Sequence, residues 1–408
     1  MISSRTNTDW KAVITLLCCG ILGAFQVGKI PPAMPALQNT FSTNIVMVGW
    51  ILSTLNLVGA LLGIFIGLLV DMATPRRLVL YGLGISALGS VLGALAPNAS
   101  LLIITRIVEG IGFLALLASI PTLILRYSSH QDTGFVMGIW TTFLPTGVTI
   151  SMIVAPFIIE SFNWQALWLT IAILILIMLL SFPRLVPRIE VPHHPDKSRS
   201  VRLHSLLEIF KTPGPSILGL CFAGFSIQMM SFVGFIPLWL VEHRNYGLNT
   251  ASLVGALVMA ANIVGCLMGG KLLGRGIQAW KLLMITSVVM SVTSIVIYND
   301  SIPDLLRLSS AFIFSWISGI IPVSLYDSVR KYTPRPELIG TANGWLAQFN
   351  NLGQLSGPPI LAALVLAAGS WEIAPVMLIS GSLVIFLCGY VMRYLLLAAK
   401  KNESNRPL

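Results

Sequence analysis

The chain has 408 residues, 55% of them hydrophobic and 10% charged, with a net charge of +10 and a mean hydropathy of +0.86. Soluble domains carry roughly 25% charged residues, so a soluble globular fold is excluded, and long apolar runs in place of short alternating strands exclude a β-barrel. The positive balance fits the cytoplasmic face of a polytopic membrane protein, not nucleic-acid recognition.

Residues 1–11 form a polar leader that runs straight into an apolar stretch without a signal-peptidase-like site, so the first span is read as retained. Span 1 covers 12–37 and ends in Pro31, Pro32 and Pro35. Span 2 covers 45–70, and a basic turn with Asp71, Arg76 and Arg77 leads to span 3 at 78–96. Spans 4, 5 and 6 cover 101–125, 134–159 and 164–182. A long polar stretch at 184–212 holds Pro187, Pro192 and Pro195 and several basic residues, with an amphipathic piece around 203–210. Spans 7 to 12 cover 215–241, 251–273, 279–297, 305–326, 339–368 and 372–397. Each is long enough to cross a bilayer as a helix. Pro145, Pro156, Pro237, Pro322 and Pro358-Pro359 predict kinked helices.

The second half echoes the first. Val48-Gly49, Asn56, Val58-Gly59 and Gly63 recur as Val254-Gly255, Asn262, Val264-Gly265 and Gly269, an offset of 206 residues. Gly138, Phe143 and Gly147 recur as Gly344, Phe349 and Gly353 at the same offset. An offset near half the chain length predicts two copies of one bundle. The expected fold is therefore all-α: twelve transmembrane helices in two pseudo-symmetric six-helix bundles, residues 1–183 and 213–408, joined by a cytoplasmic linker, 184–212. With both termini placed inside, Lys and Arg collect on the inner segments, and the outer side keeps only Arg244 and Arg307. That predicts a multi-pass protein of the cytoplasmic (inner) membrane with both termini cytoplasmic.

Twelve spans, two halves and a central linker resemble the major facilitator superfamily (MFS) over nearly the whole chain. Gly67, Asp71, Arg76 and Arg77 resemble that family's loop between spans 2 and 3, although Met72, Thr74 and Pro75 depart from its pattern. The resemblance implies a cytoplasmic gate at these four residues. Arg106 to Gly110, with Gly112 following, resembles the span 4 motif, and Phe162 to Trp168 the start of span 6. The span 5 antiporter signature is incomplete: Gly138 and Gly147 are present, but Ser151-Met152 stands where Gly-Pro is expected. Residues 29–37 resemble the end of span 1 in cyanate-permease-like bacterial carriers.

Buried charge is expensive in a bilayer, so Lys29, Arg106 and Glu109, all in the first half, are functional candidates. Arg106 and Glu109 share a helix face at a spacing of three, either as a self-neutralising structural pair or as a proton switch with Glu109 as the coupling site. Lys29, one turn after Gln26, either snorkels to the outer surface or offers a positive charge to an anion. Asn56 and Asn262 are repeat-related amides. In span 11, Gln348 and Asn351 share a face in a cluster with Asn343, Asn350 and Gln354. Such amides serve either as interhelical glue or as contacts in a wet cavity. Gln228, Phe232, Phe235, Trp239 and Trp316 are candidates for an aromatic wall.

The five cysteines lie in apolar runs and form no metal-ligand spacing, no phosphate-binding loop occurs, and no catalytic constellation is found. No enzyme activity and no cofactor or metal are expected. The expected function is secondary transport of a small anionic solute by alternating access, coupled to H+ symport. Lys29, Arg106, Gln26, Asn56, Gln228, Asn262, Gln348 and Asn351 are the substrate contacts, and Glu109 with Arg106 the proton site. The alternative is proton-driven efflux, by antiport, of a drug, metabolite or siderophore-like carboxylate. Expected partners are the solute, H+ and the lipid bilayer, with no nucleic acid, for a monomer.

Overall fold

The computed structural model describes residues 7–65, 74–188, 208–335 and 338–404. Among them are twelve helices long and apolar enough to cross a membrane, numbered here to match the predicted spans. They are α1 Trp10–Phe41, α2 Ile45–Leu62, α3 Pro75–Ala94, α4 Ala99–Tyr127, α5 Phe143–Ser161 and α6 Trp164–Leu185, followed by α7 Pro213–Arg244, α8 Leu248–Gly274, α9 Ala279–Tyr298, α10 Asp304–Tyr332, α11 Ile339–Ala368 and α12 Trp371–Leu397. An even number of crossings brings both chain ends to one side, called the terminal face below. Polar residues just before the apolar runs fix several starts. The side chains of Asp9, Asn44, Asn98 and Asn163 accept from the backbone N–H groups of Ala12, Met47, Leu101 and Ala166, which have no partner within their own helix.

Among the described residues, three interruptions lie beside a proline. Proline lacks the N–H that would bond the carbonyl four residues back, and its ring crowds that carbonyl. Pro31 and Pro32 disable the bonds to Val27 and Gly28, and α1 breaks at Lys29 into Trp10–Gly28 and Ile30–Phe41. Pro145 disables the bond to Thr141, and a separate helix, Thr133–Trp140, precedes α5. Pro322 disables the bond to Ser318, and α10 restarts at Ile320 after Gly319. Pro156, Pro237 and Pro358-Pro359 lie inside helices that continue past them without a break.

Helix α2 tightens to a 3-10 turn at Thr54–Asn56 and is followed by another at Gly63–Phe65, while its repeat mate α8 is unbroken from Leu248 to Gly274. The hydroxyls of Ser53 and Thr54 both bond the Trp50 carbonyl, at 3.4 and 2.6 Å. Such back-bonding competes with the helix ladder and bends it. At the 206 offset α8 has Met259 and Ala260, which have no hydroxyl to do this.

The chain halves meet through α2 with α11, α5 with α8, and α1 with α7. The repeat is visible at the contacts. A Cβ on Gly49 would meet the Pro358 backbone, and one on Gly255 would meet Met152; Pro358 is itself 206 residues after Met152. Helices α2 and α11 stay close along their length, from Gly49 at Pro358 to Gly63 at Gln348. Helices α5 and α8 touch towards the other face, at Thr149 with Ala256, Met152 with Gly255 and Glu160 with Asn249. Near the terminal face, Gly134, Gly138, Gly270 and Gly274 face open space. On the opposite face a cavity of about 490 Å³ lies between the ends of α1 and α7, lined by Pro35, Gln38, Asn39, Ser42, Thr43, Val241 and Glu242.

The leader is pinned to the loop after α4. Thr8 donates to Asp132 at 2.5 Å and accepts from the Ser129 N–H at 2.8 Å. The hydroxyls of Thr8 and Ser129 hold the Asp132 carboxyl below the usual carboxylate range. Most of the predicted linker, including residues 203–207 of its amphipathic piece, lies outside the described residues. Its end, 208–211, is helical, with Glu208 paired to Arg335 and Phe210 edge-on to Trp345 at 4.7 Å.

Candidate functional site

The charged residues converge inside the first half. Lys29, at the break in α1, donates from Nζ to Gln26 Oε1 at 2.6 Å, Glu109 Oε1 at 2.7 Å and Ser90 Oγ at 3.0 Å. Ser90 on α3 donates to the same Glu109 oxygen at 2.8 Å, and Gln26 Nε2 reaches Ser90 Oγ at 3.0 Å. The other Glu109 oxygen accepts from Arg106 Nη1, whose Nε donates to the Ile51 carbonyl of α2 at 3.1 Å. The Trp168 ring of α6 covers Lys29 Nζ, 4.4 Å from the ring centroid. Gln26, Lys29, Ser90, Arg106 and Glu109 are each 0% exposed. Small residues make this convergence feasible: an added Cβ at Gly89 would collide with Glu109, at Gly93 with Trp168, and at Gly112 with Ser86.

Ion pairs in this environment survive only when the opposing charges and hydrogen bonds are in place. The cluster provides that for Glu109, which receives three donors. It leaves Arg106 Nη2 and Trp168 Nε1 without a partner. Lys29 does not snorkel; the geometry places it against Glu109. Arg106 and Glu109 do form the predicted pair, but as one arm of a three-residue cluster.

Ser90 and Trp168 escaped the sequence reading as site residues. The available signal was the stripe Gly82, Ser86, Gly89, Ser90 and Gly93, small residues at helical spacing that make room for bulky partners on another helix. A further buried cation is Arg307, expected from the sequence on the outer side. It is 1% exposed, held by Asp304, the carbonyls of Asn299 and Ile302, and the face of Trp239.

The remaining candidates lie elsewhere. Gln228 bonds the Gly224 carbonyl and accepts from Ser382 of α12 at 2.9 Å, inside the second half. Asn262 joins α8 to α10 through the Ser315 carbonyl at 3.2 Å and Ser318 Oγ at 2.9 Å. Asn56 bonds only its own helix, at the Ser53 carbonyl 3.3 Å away. The two repeat-related amides therefore differ in role. Asn262→Ala should lower stability by about 1 kcal/mol, in the range of interhelical bonds in membranes, and Asn56→Ala by less. Comparing their apparent melting temperatures in detergent checks this, and equal shifts would contradict it.

Gln348 and Asn351 lie at the α2–α11 contact. Gln348 accepts from the Ile64 N–H at 3.2 Å, beside the second 3-10 turn, and Asn351 sits where a Gly59 side chain would be. Of the aromatic-wall candidates, Phe232 packs at a tilt against Phe314, centroids 4.4 Å apart, and Phe235 against Trp371 at 5.8 Å, within the second half, so they pack its core. Trp239 packs with Tyr298, and Trp316 is 36% exposed. In the predicted gate, Gly67 and Asp71 lie outside the described residues. Arg76 donates to the carbonyls of Val186 and Pro183 at the end of α6, and Arg77 is exposed.

The model of the Major Facilitator Superfamily matches residues 16–358. The multidrug efflux pump LfrA of Mycolicibacterium smegmatis is 30% identical over 193 residues, 47% of this chain and 38% of that one, so the match spans well under half of that relative. The 3-(3-hydroxy-phenyl)propionate transporter of Escherichia coli is 23% identical over 95% of this chain and 97% of its own. A bacterial homologue of the human lysosomal transporter Spinster, solved inward-facing and occupied, superposes with a TM-score of 0.76 over 95% of this chain and 98% of that one. At 16% identity that likeness concerns the fold.

Proposed function

Because the chain belongs to the Major Facilitator Superfamily, and is thus a multi-pass membrane transporter of small solutes and not an enzyme, we propose that it moves a small organic anion together with a proton by alternating access. The observation that carries this reading is the buried cluster of Lys29, Arg106 and Glu109, with two basic side chains against one acidic. Charge placed there has no structural economy unless it works. Glu109 with Arg106 forms the coupling centre, and Lys29 supplies the positive field that favours an anion. In low dielectric that field acts over several ångströms without direct contact. Gln348 and Asn351, between the halves, supply polar contacts to the solute. Asn56, Gln228 and Asn262 act by positioning their helices. Arg76 and Arg77, with Gly67 and Asp71, close the cytoplasmic side, on which both termini lie. A carboxylate is the favoured solute class, since the relative matched along nearly its whole length carries a propionate.

A second reading, proton-driven efflux, is favoured by one pair of residues. The Gly-Pro missing from α5 is present in α11 as Gly357-Pro358, 206 residues after Ser151-Met152. LfrA is an efflux pump. Radiolabelled 3-(3-hydroxyphenyl)propionate in right-side-out and inverted membrane vesicles distinguishes the two. Symport predicts accumulation in right-side-out vesicles under an acid-outside gradient. Accumulation confined to inverted vesicles with an acid interior would replace symport by efflux.

A further inference from the structure

Within the coupling cluster, we propose that Lys29 is the group that gains and loses the proton, with Glu109 as its fixed counter-charge. The inference rests on the coupling reading above and assigns the proton within it. The ionisable groups facing Lys29 among the described residues are Glu109 and Arg106, both on α4. Helix α3 contributes Ser86 and Ser90, α6 the Trp168 ring, and α5 packs Val148 and Ser151 beside neighbouring Gly28. None of these contributions carries charge.

With every group in its ordinary form, the cluster holds two positive charges and one negative in a site closed to solvent. One positive charge is left over, and an uncompensated buried charge is strongly destabilising. One proton must leave for the site to be neutral. Arginine does not lose its proton in proteins. Glu109, accepting from Lys29, Ser90 and Arg106, has already lost its own, and protonating it would add to the excess. Only Lys29 can neutralise the site. A counter-anion is the other solution, but Lys29, Arg106 and Glu109 are each 0% exposed, so the anion would have to be sealed in with them, and the surrounding helices are in close contact at Gly89, Gly93, Gly110 and Gly112.

The hydrogen bonds suit both forms of the amine. As an ammonium, Lys29 uses three donors, on Gln26, Ser90 and Glu109, and Ser90 turns its O–H to Glu109. As a neutral amine, Nζ keeps two donors, for Gln26 and Glu109, and accepts from Ser90, which rotates its O–H through the same 3.0 Å contact. Ser90 Oγ remains an acceptor for Gln26 Nε2 at 3.0 Å. A hydroxyl both donates and accepts, so Ser90 reverses its bond with Lys29 and gives up its bond to Glu109, which keeps Lys29 and Arg106 as donors. When the site opens to water, Nζ takes a proton and the cluster becomes positive. An anion bound between the halves then stabilises that state, and by reciprocity the protonated state binds the anion more tightly.

The test needs no solute, so it can fail or succeed independently of the transport reading. Unfolding of the purified full chain is followed in detergent from pH 7 to 9, for wild type and Lys29→Met, in sodium chloride and in sodium gluconate. An unfolded lysine keeps its proton across this range. If the folded chain binds one proton fewer there, stability rises with pH. The ratio of wild-type to variant unfolding constants should then fall about tenfold per pH unit, with no difference between the two salts. Parallel pH profiles for the two proteins would overturn the proposal. So would a wild-type profile that is flat in pH but stabilised by chloride, which would mean a permanent cation balanced by an anion. Should Lys29→Met not fold, Lys29→Gln takes its place, and the wild-type pH and chloride series still decides between the proton and the anion.

Discussion

Glu109→Gln is expected to be among the most damaging single changes in the chain, lowering stability by about 3–5 kcal/mol, the range for breaking a buried ion pair from one side. The substitution keeps the shape of the side chain but removes the one negative charge that, among the described residues, faces Lys29 and Arg106. Arg106 cannot respond by losing a proton, so its charge stays buried with only the Ile51 carbonyl and the new amide to meet it. Adding Arg106→Gln should return part of the loss, because the orphaned charge is then gone. Apparent melting temperatures of the two single variants and the double variant check this as a double-mutant cycle. Additive losses would mean that Arg106 and Glu109 are not coupled.

Gly265→Ala is expected to have an effect of similar size for a different reason. A Cβ at Gly265 would fall on the carbonyl oxygen of Trp316, where α8 crosses α10. A Cβ at Gly110 would likewise meet the Leu55 carbonyl, where α4 crosses α2. Overpacking costs about 1–3 kcal/mol when side chains can yield, and more is expected against the backbone of another helix. Gly270→Ala, five residues further along α8 and facing open space, is the control. It should be neutral or gain up to about 1 kcal/mol from helix propensity. Thermal unfolding and the monodisperse yield from size-exclusion chromatography report both effects. A stable Gly265→Ala would mean that the α8–α10 contact is looser than the structure shows.

The twelve spans are legible in the sequence because an apolar run of 18 or more residues has few other outcomes. The interruptions are less so. Proline chemistry marks where a ladder bond is missing, yet Pro31, Pro145 and Pro322 accompany breaks while Pro156, Pro237 and Pro358 do not. Neighbouring helices decide which gaps are tolerated. The 206-residue repeat predicts matching contacts and finds one at Gly49 and Gly255, but it also suggests a shared role for Asn56 and Asn262 that the packing does not give them. A hydroxyl pair at Ser53 and Thr54, absent from α8, separates the two helices.

At the site, cost identifies the charged members, since Lys29, Arg106 and Glu109 are rare groups in apolar runs. Spacing links Arg106 to Glu109, three residues apart. Nothing in a single sequence links Lys29 to Glu109, which are 80 residues apart and joined only through packing. Ser90 and Trp168 carry no charge to draw attention, and their part comes from where α3 and α6 pass α1.

The most direct test of proton coupling at the buried cluster is proton movement itself. In proteoliposomes loaded with a pH-sensitive dye, 3-(3-hydroxyphenyl)propionate added outside should acidify the lumen with wild-type protein. Glu109→Gln, normalised to folded protein, should not do so, while still exchanging labelled solute across the membrane. Acidification by Glu109→Gln at the wild-type rate would contradict the assignment of coupling to this cluster.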